Sequence, residues 1–213
     1  MDRIDKFVYI NLDKRPDRNE HILKELARFG IPEEKILRIS AVESEKGAYG
    51  CALSHMKVAE AMKLSGDKVW CILEDDHYFT KTREETDTIV NTFLDNSDYD
   101  VFLGTFCALR GYDLSNKILR RATKSCITSF YIAKNNVCDA LIASNKQSAR
   151  TLDPKYGKRK GTPCDMMWEH VMKVFYFVAP YKVYGSQILN HSDIRNKVMN
   201  YSTYVGTKVD REL

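Results

Sequence analysis

An apolar run of strand length, from Val69 to Leu73, leads directly into three consecutive carboxylates, Glu74, Asp75 and Asp76. Adjacent negative charges repel one another, and removing them from water is costly unless a cation or hydrogen-bond donors compensate. Open α/β sheets bind ligands beyond the carboxyl ends of their strands, where that cost can be offset. Carboxylate oxygens are also suited to Mg²⁺ or Mn²⁺. The stretch indicates a metal–diphosphate site, with an acidic turn after a core strand as the alternative.

The rest of the chain alternates strand and helix patterns, which predicts an α/β fold with a mostly parallel central sheet flanked by helices. Gly30 and Gly66 follow two of the helical patterns, as expected of helix stops. The region 105–125 gives a weaker signal and predicts loops or a short hairpin. The predicted strands are 7–10, 36–42, 69–73, 100–104 and 125–133, and the predicted helices are 22–29, 51–62, 83–94, 135–149 and 165–174.

The length of 213 residues fits one α/β domain with a substantial core. The net charge of +4 is mild and does not indicate nucleic acid, although it favours an anionic small molecule. No apolar run reaches the roughly 18–20 residues of a membrane span, and the charged start of the chain does not resemble a secretory signal. We therefore expect a cytoplasmic protein; its oligomeric state is left open.

The six cysteines include no Cys-x-x-Cys pair, so the sequence gives little support for a zinc or thioredoxin-like site. Cys71 lies inside the apolar run, and Cys51 and Cys126 have apolar or small neighbours. We expect buried free thiols in a reducing compartment, although an even count leaves disulfides open.

Polar groups recur at the predicted strand ends and helix starts: Asn11 with Arg15 and Arg18, Ser54 with His55, and the three acids. The carboxyl ends of parallel strands gather at one edge of a sheet. Arginines supply forked donors for phosphate, and a cation held by the acids can take up charge on a leaving diphosphate. The combination points to a nucleotide-activated substrate.

Five segments, in this order, resemble the motifs of glycosyltransferase family 25, which includes bacterial lipooligosaccharide galactosyltransferases and collagen hydroxylysine galactosyltransferases. The resemblance covers most of residues 6–195 and thins between 105 and 125. The five segments are Val8–Arg18, Gly50–His55, Ile72–Asp76, Pro163–Asp165 and Ser192–Ile194.

The resemblance implies a GT-A-type fold, a UDP-galactose or UDP-glucose donor, Mn²⁺ dependence and inversion at the anomeric carbon. It divides a single domain, 1–213, into a nucleotide-sugar half at about 1–104 and an acceptor half at about 105–213. Glu74-Asp75-Asp76 would be the family's Asp-x-Asp motif, with Asp76 as metal ligand and Glu74 as partner of ribose or of the metal. The departure from a strict Asp-x-Asp leaves open which carboxylate binds.

Further roles follow from the same resemblance. Asn11 and Leu12 would lie against the uridine, and Arg15 or Arg18 near the diphosphate; alternatively these arginines pair with Asp13 and Asp17. Ser54 and His55 would face the ligand, or else cap a helix and sit in the core. His191 would be a third metal ligand or a surface histidine, and His77 is expected to be exposed and incidental. Independently of the resemblance, the basic, Gly-flanked segment 155–161 predicts either a solvated, mobile loop or a phosphate-facing lid.

An inverting transfer needs a base that takes the proton of the acceptor hydroxyl. Asp165, at a predicted helix start, is the candidate, and Glu169 one turn later is the reserve. The alternative for Asp165 is a helix N-cap.

The sequence thus predicts a metal-dependent hexosyltransferase acting on a glycan, a lipooligosaccharide or a hydroxylysyl side chain. Two other hypotheses stay open: a metal-dependent phosphoesterase, and a non-catalytic member of the family that binds a nucleotide sugar or a partner.

Overall fold

A computed structural model describes residues 1–156, 161–192, 194, 197–200 and 205–207. Its strands are β1 Lys6–Asn11, β2 Ile36–Ser40, β3 Val69–Glu74, β4 His77–Phe79, β5 Val101–Leu103, β6 Cys107–Asp113, β7 Leu119–Cys126, β8 Phe130–Lys134, β9 Phe177–Pro180, β10 Gly185–Gln187, β11 Asn190–Ser192 and β12 Lys197–Met199. Its α-helices are α1 Pro16–Arg28, α2 Gly47–Ser65, α3 Arg83–Leu94, α4 Cys138–Leu152 and α5 Cys164–Met172.

One eight-stranded sheet organises the fold, in the order β2-β1-β3-β8-β5-β9-β7-β6. β1 pairs in parallel with both β2 and β3, and β5 pairs in parallel with β9. β8 and β7 run against their neighbours, so six of the eight strands share one direction. The strands β1 and β3 therefore end side by side, and their carboxyl ends form one edge of the sheet.

Local sequence signals set the ends of the first helices. Pro16 occupies the first turn of α1, where its missing N–H is not needed. Thr82 and Glu85 form a reciprocal capping box that starts α3. Gly30 and Gly66 have φ values of 67° and 77° after α1 and α2, a left-handed conformation that favours glycine.

The strand β3 lies in the middle of the core and is buried on both faces. Trp70 and Ile72 belong to the apolar cluster under α2, α4 and α5, whereas Cys71 and Leu73 belong to the cluster under α1 and α3. The continuous apolar run before the acids is explained by this double burial, because a strand covered on both sides has no solvent face.

The region between 105 and 133 differs from the sequence prediction. Of the two alternatives for 105–125, the hairpin is correct, although β6 and β7 are longer than a short hairpin and extend the central sheet. The single strand predicted at 125–133 is wrong: β7 ends at Cys126, Ile127 has a φ of 75°, and β8 begins at Phe130. A branched residue at positive φ breaks a strand, so β7 ends there, and the chain continues in the same direction as β8 at another position in the sheet.

All six cysteines are free thiols, as expected, and Cys71 is fully buried. No helix among the described residues is long and apolar enough to cross a membrane. The α/β sheet architecture predicted from the sequence is confirmed. The division into a nucleotide-sugar half and an acceptor half stays a prediction.

Candidate functional site

The three acids lie at the end of β3 and in the tight turn that joins it to β4. Asp75 and Asp76 are each only 6% exposed, and Glu74 is half-buried. The acids are therefore not a solvated surface turn. Their negative charge is held inside the protein and must be compensated there.

Arg18, on the first turns of α1, supplies a positive charge to the two aspartates. Its Nη1 donates to Asp75 Oδ1 at 3.0 Å and lies 3.1 Å from Asp76 Oδ2. Arg18 itself is buried, so this ion pair is shielded from solvent. The suggested pairing of Arg18 with Asp13 or Asp17 is not what the structure shows, because its guanidinium reaches across to the end of β3.

Asn11, the last residue of β1, connects the two parallel strand ends. Its Nδ2 donates to Asp75 Oδ2 at 2.8 Å and to the Arg15 carbonyl at 3.1 Å. Its Oδ1 accepts from Arg38 Nη2 at 2.8 Å. Arg15 pairs with Asp17 at 2.8 Å, the alternative left open from the sequence, and Leu12 is half-buried beside them.

Gln187, at the end of β10, bridges two of the acids. Its Nε2 donates to Asp76 Oδ1 at 3.0 Å and to Glu74 Oε2 at 3.1 Å. Thr128, between β7 and β8, donates from its hydroxyl to Glu74 Oε1 at 2.8 Å. An amide nitrogen held between two carboxylates marks the region between Glu74 and Asp76 as one that favours positive charge.

The electrostatics of the cluster reflect incomplete compensation. Burial raises the pKa of Asp76 to about 7, and the negative charge of Glu74 adds to the rise. Burial also raises the pKa of Asp75, although Arg18 and Asn11 oppose it. For Glu74, burial raises the pKa but the contact with His55 outweighs it, so the pKa is lowered. The aspartates would gain from a further cation.

His55 lies on the other side of Glu74. Its ring is 1% exposed, its Nε2 lies 3.5 Å from Glu74 Oε1, and its Nδ1 lies 3.2 Å from the Tyr131 hydroxyl. Burial lowers the pKa of His55, but the nearby Cys51 thiol and Glu74 carboxylate outweigh this and raise it to about 10. His55 acts on the site through Glu74.

Ser54 is also buried, and its hydroxyl is used within the protein. It donates to the Gly50 carbonyl at 2.7 Å and accepts from the Val42 amide at 2.8 Å. These bonds tie α2 to the segment after β2. Its predicted contact with a ligand stays a prediction.

Asp165, in the first turn of α5, is not a side-chain N-cap, since Pro163 holds that position. Its Oδ2 accepts from the Ile127 amide at 3.0 Å. Ile127 is followed by Thr128, which binds Glu74, so one short segment connects Asp165 to the acid cluster. Glu169 instead faces Lys124 at 2.9 Å, with 39% of its side chain exposed.

Two predictions fall partly or wholly outside the described residues. The backbone of His191 lies in β11, and its role as a third metal ligand stays a prediction. Asp193, within the Ser-Asp-Ile segment, and residues 157–160 of the basic loop lie outside the described residues.

The expectation that His77 is exposed is wrong. Its side chain is fully buried and packs edge-on against Phe79 and Phe130, with ring centroids 4.7 and 5.1 Å away. Gly185 makes room for it, because a Cβ there would lie 2.0 Å from His77 Cε1. Burial lowers the pKa of His77 to about 3. Gly104 likewise makes room for an aromatic ring, since a Cβ there would lie 2.2 Å from Phe130 Cδ1.

The donor set at the end of β3 fits a hard divalent cation. Glu74 and Asp76 both aim an oxygen at the Gln187 amide nitrogen, and their mutual repulsion raises the pKa of Asp76. All the candidate donors there are oxygens, which Mn²⁺ and Mg²⁺ prefer. Arg18 already balances part of the charge, so the cation would share the aspartates with it.

The chain has the fold of a known glycosyltransferase. It is similar to a glycosyltransferase involved in the glycosylation of the major capsid of PBCV-1, with a TM-score of 0.52 and 10% identity over 90% of this chain and 95% of that chain. It also aligns with UDP-glucose pyrophosphorylase complexed with UDP-glucose (TM-score 0.48, 11% identity, 82% and 72% of the two chains). A third structure is mannose-1-phosphate geranyltransferase from Thermus thermophilus. The TM-score is 0.48 and the sequence identity is 12%, over 84% of this chain and 73% of that chain.

At these identities the similarity shows the fold alone, and the predicted GT-A-type fold is confirmed. No protein-family model matches the chain, and no curated protein matches it.

Sequence reasoning missed Gln187, Thr128 and Arg38. Gln187 lies 111 residues from Asp76, in a three-residue strand with no periodic signal, and Thr128 lies in a segment that was predicted as strand interior. No local pattern marks these residues, because their role arises only when distant strands meet at one edge of the sheet.

Proposed function

We propose that this protein is a metal-dependent inverting glycosyltransferase, related to family 25, that moves galactose or glucose from a UDP-sugar to a hydroxyl acceptor. The acceptor would be a glycan, a lipooligosaccharide or a collagen-type hydroxylysine. The proposal rests on the fold together with the family-like motifs, of which the first three contact one another in space.

One observation carries the proposal. The ends of β1 and β3 bring Asn11, Asp75 and Asp76 together, and α1 adds Arg18 to the same cluster, so the first and third motifs form one buried polar centre. Open α/β sheets bind their ligands at such an edge. Burying two aspartates and an arginine together costs free energy, which a shared role in ligand binding would explain.

In this proposal the donor binds against the ends of β1 and β3. Asn11 and Leu12 lie beside the uridine, and Arg15 or Arg18 offers forked donors to the diphosphate. Asp76 and Glu74 would hold Mn²⁺, which when bound supplies the charge that stabilises the leaving diphosphate. Asp75 keeps Asn11 and Arg18 in position through its two hydrogen bonds.

Asp165 is the proposed base. In an inverting transfer the acceptor hydroxyl attacks the anomeric carbon opposite the leaving group, and the base removes the hydroxyl proton. The carboxylate of Asp165 is half-buried and is held by the Ile127 amide. Each carboxylate oxygen has a second lone pair, so the group can accept a further proton or hydrogen bond.

A single assay tests the proposal. The protein is incubated with UDP-galactose or UDP-glucose, with a panel of saccharide and hydroxylysyl acceptors, in Mn²⁺ or in excess chelator. We expect UDP release that needs the metal and rises with one class of acceptor. Hydrolysis of simple phosphoesters without turnover of the UDP-sugar would contradict the proposal and favour a phosphoesterase.

A second function has one observation in its favour. Arg18 already contacts both aspartates, as a bound cation would, which suits a protein that binds a nucleotide sugar without transferring it. This non-catalytic alternative predicts binding of UDP-sugar in equilibrium dialysis with no UDP release for any acceptor. The same assay therefore separates the two.

A further inference from the structure

A second cluster of ligand-type side chains lies beyond Glu74, away from the aspartates. Cys51 and His55 are one helical turn apart on α2, so they project from the same face of that helix. Cys164 opens α5, which packs beside α2. Ligand atoms of these three residues all lie within 4.8 Å of one another. Three potential metal ligands therefore meet between two helices.

The distance between the two sulfur atoms agrees with a shared metal. Cys51 Sγ and Cys164 Sγ are 3.8 Å apart, and both cysteines are free thiols. A disulfide would bring the sulfurs to about 2.05 Å. With zinc–sulfur bonds of about 2.3 Å, two thiolates on a tetrahedral zinc ion are about 3.8 Å apart.

The orientation of His55 is also that of a metal ligand. Its Nδ1 is directed at the Tyr131 hydroxyl at 3.2 Å, and its Nε2 is buried and makes no hydrogen bond. A histidine that binds a metal through one ring nitrogen usually has a partner at the other, which fixes the ring. The nearest carboxylate oxygen to Nε2, Glu74 Oε1, is 3.5 Å away, too far for a good hydrogen bond, and a metal would give this nitrogen a direct bond.

We propose that Cys51, His55 and Cys164 form a structural zinc site, with two thiolates and the imidazole Nε2 as ligands. Glu74 lies next to this group, with its Oε1 3.5 Å from Nε2. Thiolates select zinc over Mn²⁺ or Mg²⁺, so the site is chemically distinct from the oxygen cluster around Asp76. Zinc here would join α2 to the start of α5, next to Asp165.

The test uses the full chain, reduced and freed of metal with a chelator, and then titrated with Co²⁺. Cobalt bound to thiolates absorbs in the near ultraviolet through sulfur-to-metal charge transfer, whereas cobalt on carboxylates does not. We expect this band to saturate at one cobalt per chain and to disappear when one equivalent of Zn²⁺ is added. Zinc at about 100 times its dissociation constant should raise Tm by about 5–10 °C.

The variants locate the site. Cys51→Ser, Cys164→Ser and His55→Gln should each weaken the band and abolish the zinc-dependent rise in Tm. Cys138→Ser is the matched control, because Cys138 is also buried but lies at the start of α4, outside the cluster. The double variant Cys107→Ser/Cys126→Ser removes a second neighbouring pair and should keep the band. Asp76→Ala should keep it too.

Three results would overturn the proposal. The first is wild-type protein with no thiolate–cobalt band, an outcome that does not depend on whether any variant folds. The second is a band that survives in both Cys51→Ser and Cys164→Ser. The third is a Cys51–Cys164 disulfide as the main form in unreduced protein, detected by peptide mass mapping, which would mean that the pair is a redox couple.

Discussion

Glu74 separates two regions that differ in their ligand chemistry. On one side, strand ends and α1 assemble an oxygen-rich cluster balanced by the Arg18 guanidinium. On the other side, α2 and α5 assemble sulfur and nitrogen atoms around His55. We call these the oxygen side and the sulfur side.

The two sides are built by different parts of the fold and are suited to different roles. The oxygen side is built by the edge of the sheet and is suited to a donor diphosphate and a hard cation. The sulfur side is built by helix packing and sets the position of α5, where Asp165 lies. We therefore expect changes on the oxygen side to affect donor binding, and changes at the start of α5 to affect transfer.

The largest expected effect is at Asp76. Asp76→Ala removes the proposed metal ligand, so UDP-sugar turnover should fall at least about 10³-fold, equivalent to about 4 kcal/mol of barrier, and metal-dependent donor binding should be lost. Initial rates of UDP release and equilibrium dialysis measure the two effects. Asp139→Asn is the control, since that carboxylate is exposed in a surface ion pair. If Asp76→Ala keeps its turnover, the oxygen side is not the donor site.

Arg18→Met should destabilise the fold by about 3–5 kcal/mol at pH 7, because it leaves two buried aspartates without their cation. Urea unfolding monitored by fluorescence gives the value. Adding Asp75→Asn in the same chain removes one of the uncompensated charges and should recover part of the loss. An Arg18→Met protein as stable as wild type would mean that the oxygen side does not depend on this ion pair.

Asp165→Asn should leave donor binding unchanged and reduce transfer by about 10²–10³-fold, as expected for loss of a general base. This variant contrasts most directly with Asp76→Ala, since only the transfer step should respond. The amide oxygen of asparagine can still accept from Ile127, whereas the bond from the Met166 amide to the other oxygen is lost, so thermal unfolding of the variant is measured alongside. Weaker donor binding in Asp165→Asn would remove the distinction between the two sides.

His77 belongs to neither side, and its effect should depend on pH. The folded state holds it neutral with a pKa of about 3, against an ordinary value of 6.5. Its contribution to stability is thus complete above pH 6.5 and is lost as the pH falls from 6.5 towards 3. Within the described part of the chain, the charged neighbour that adds to the lowering is His21, whose Nε2 lies 2.8 Å from the His77 carbonyl oxygen.

Because of this histidine, the free energy of unfolding of the wild type should fall by about 3 kcal/mol more than that of His77→Leu between pH 7 and pH 4. Urea midpoints of both proteins at pH 7, 5 and 4 measure this difference. Both proteins contain the same carboxylates, so the titration of these groups drops out of the comparison. Parallel pH profiles for the two proteins would show that His77 titrates normally.

The smallest effect is expected at Glu169. Its carboxylate is partly exposed and faces Lys124, so Glu169→Gln should change stability by less than about 1 kcal/mol and turnover by less than about 3-fold. Thermal unfolding and the UDP-release assay are sufficient. Loss of transfer in Glu169→Gln together with normal transfer in Asp165→Asn would reverse the assignment of the base.

The parts of the fold that the sequence predicts are those with local signals. The helix at 83–94 has both a capping box and a periodic apolar face, and its predicted bounds match α3. The apolar run before the acids predicts β3, because its length is that of a strand and it has no polar face. In the site, the meeting of Asn11, Arg18 and the acids follows from the rule that parallel strands end at one edge.

The parts that the sequence does not predict depend on distant contacts. The positive φ of Ile127 is held by Asp165, 38 residues later, so nothing near Ile127 signals the break between β7 and β8. His77 follows three acids, yet its side chain packs away from them, among phenylalanines. Cys51 and Cys164 are 113 residues apart, which no spacing rule for metal ligands covers.

The order of strands in the central sheet has a consequence for the growing polypeptide. β8 fits between β3 and β5, both of which leave the ribosome before it does. Until residue 134 has been synthesised, β3 has one open edge, an apolar strand able to pair with another nascent chain. A fragment of about 104 residues, ending after β5, should therefore aggregate, even though it already contains Asn11, Arg18 and the three acids.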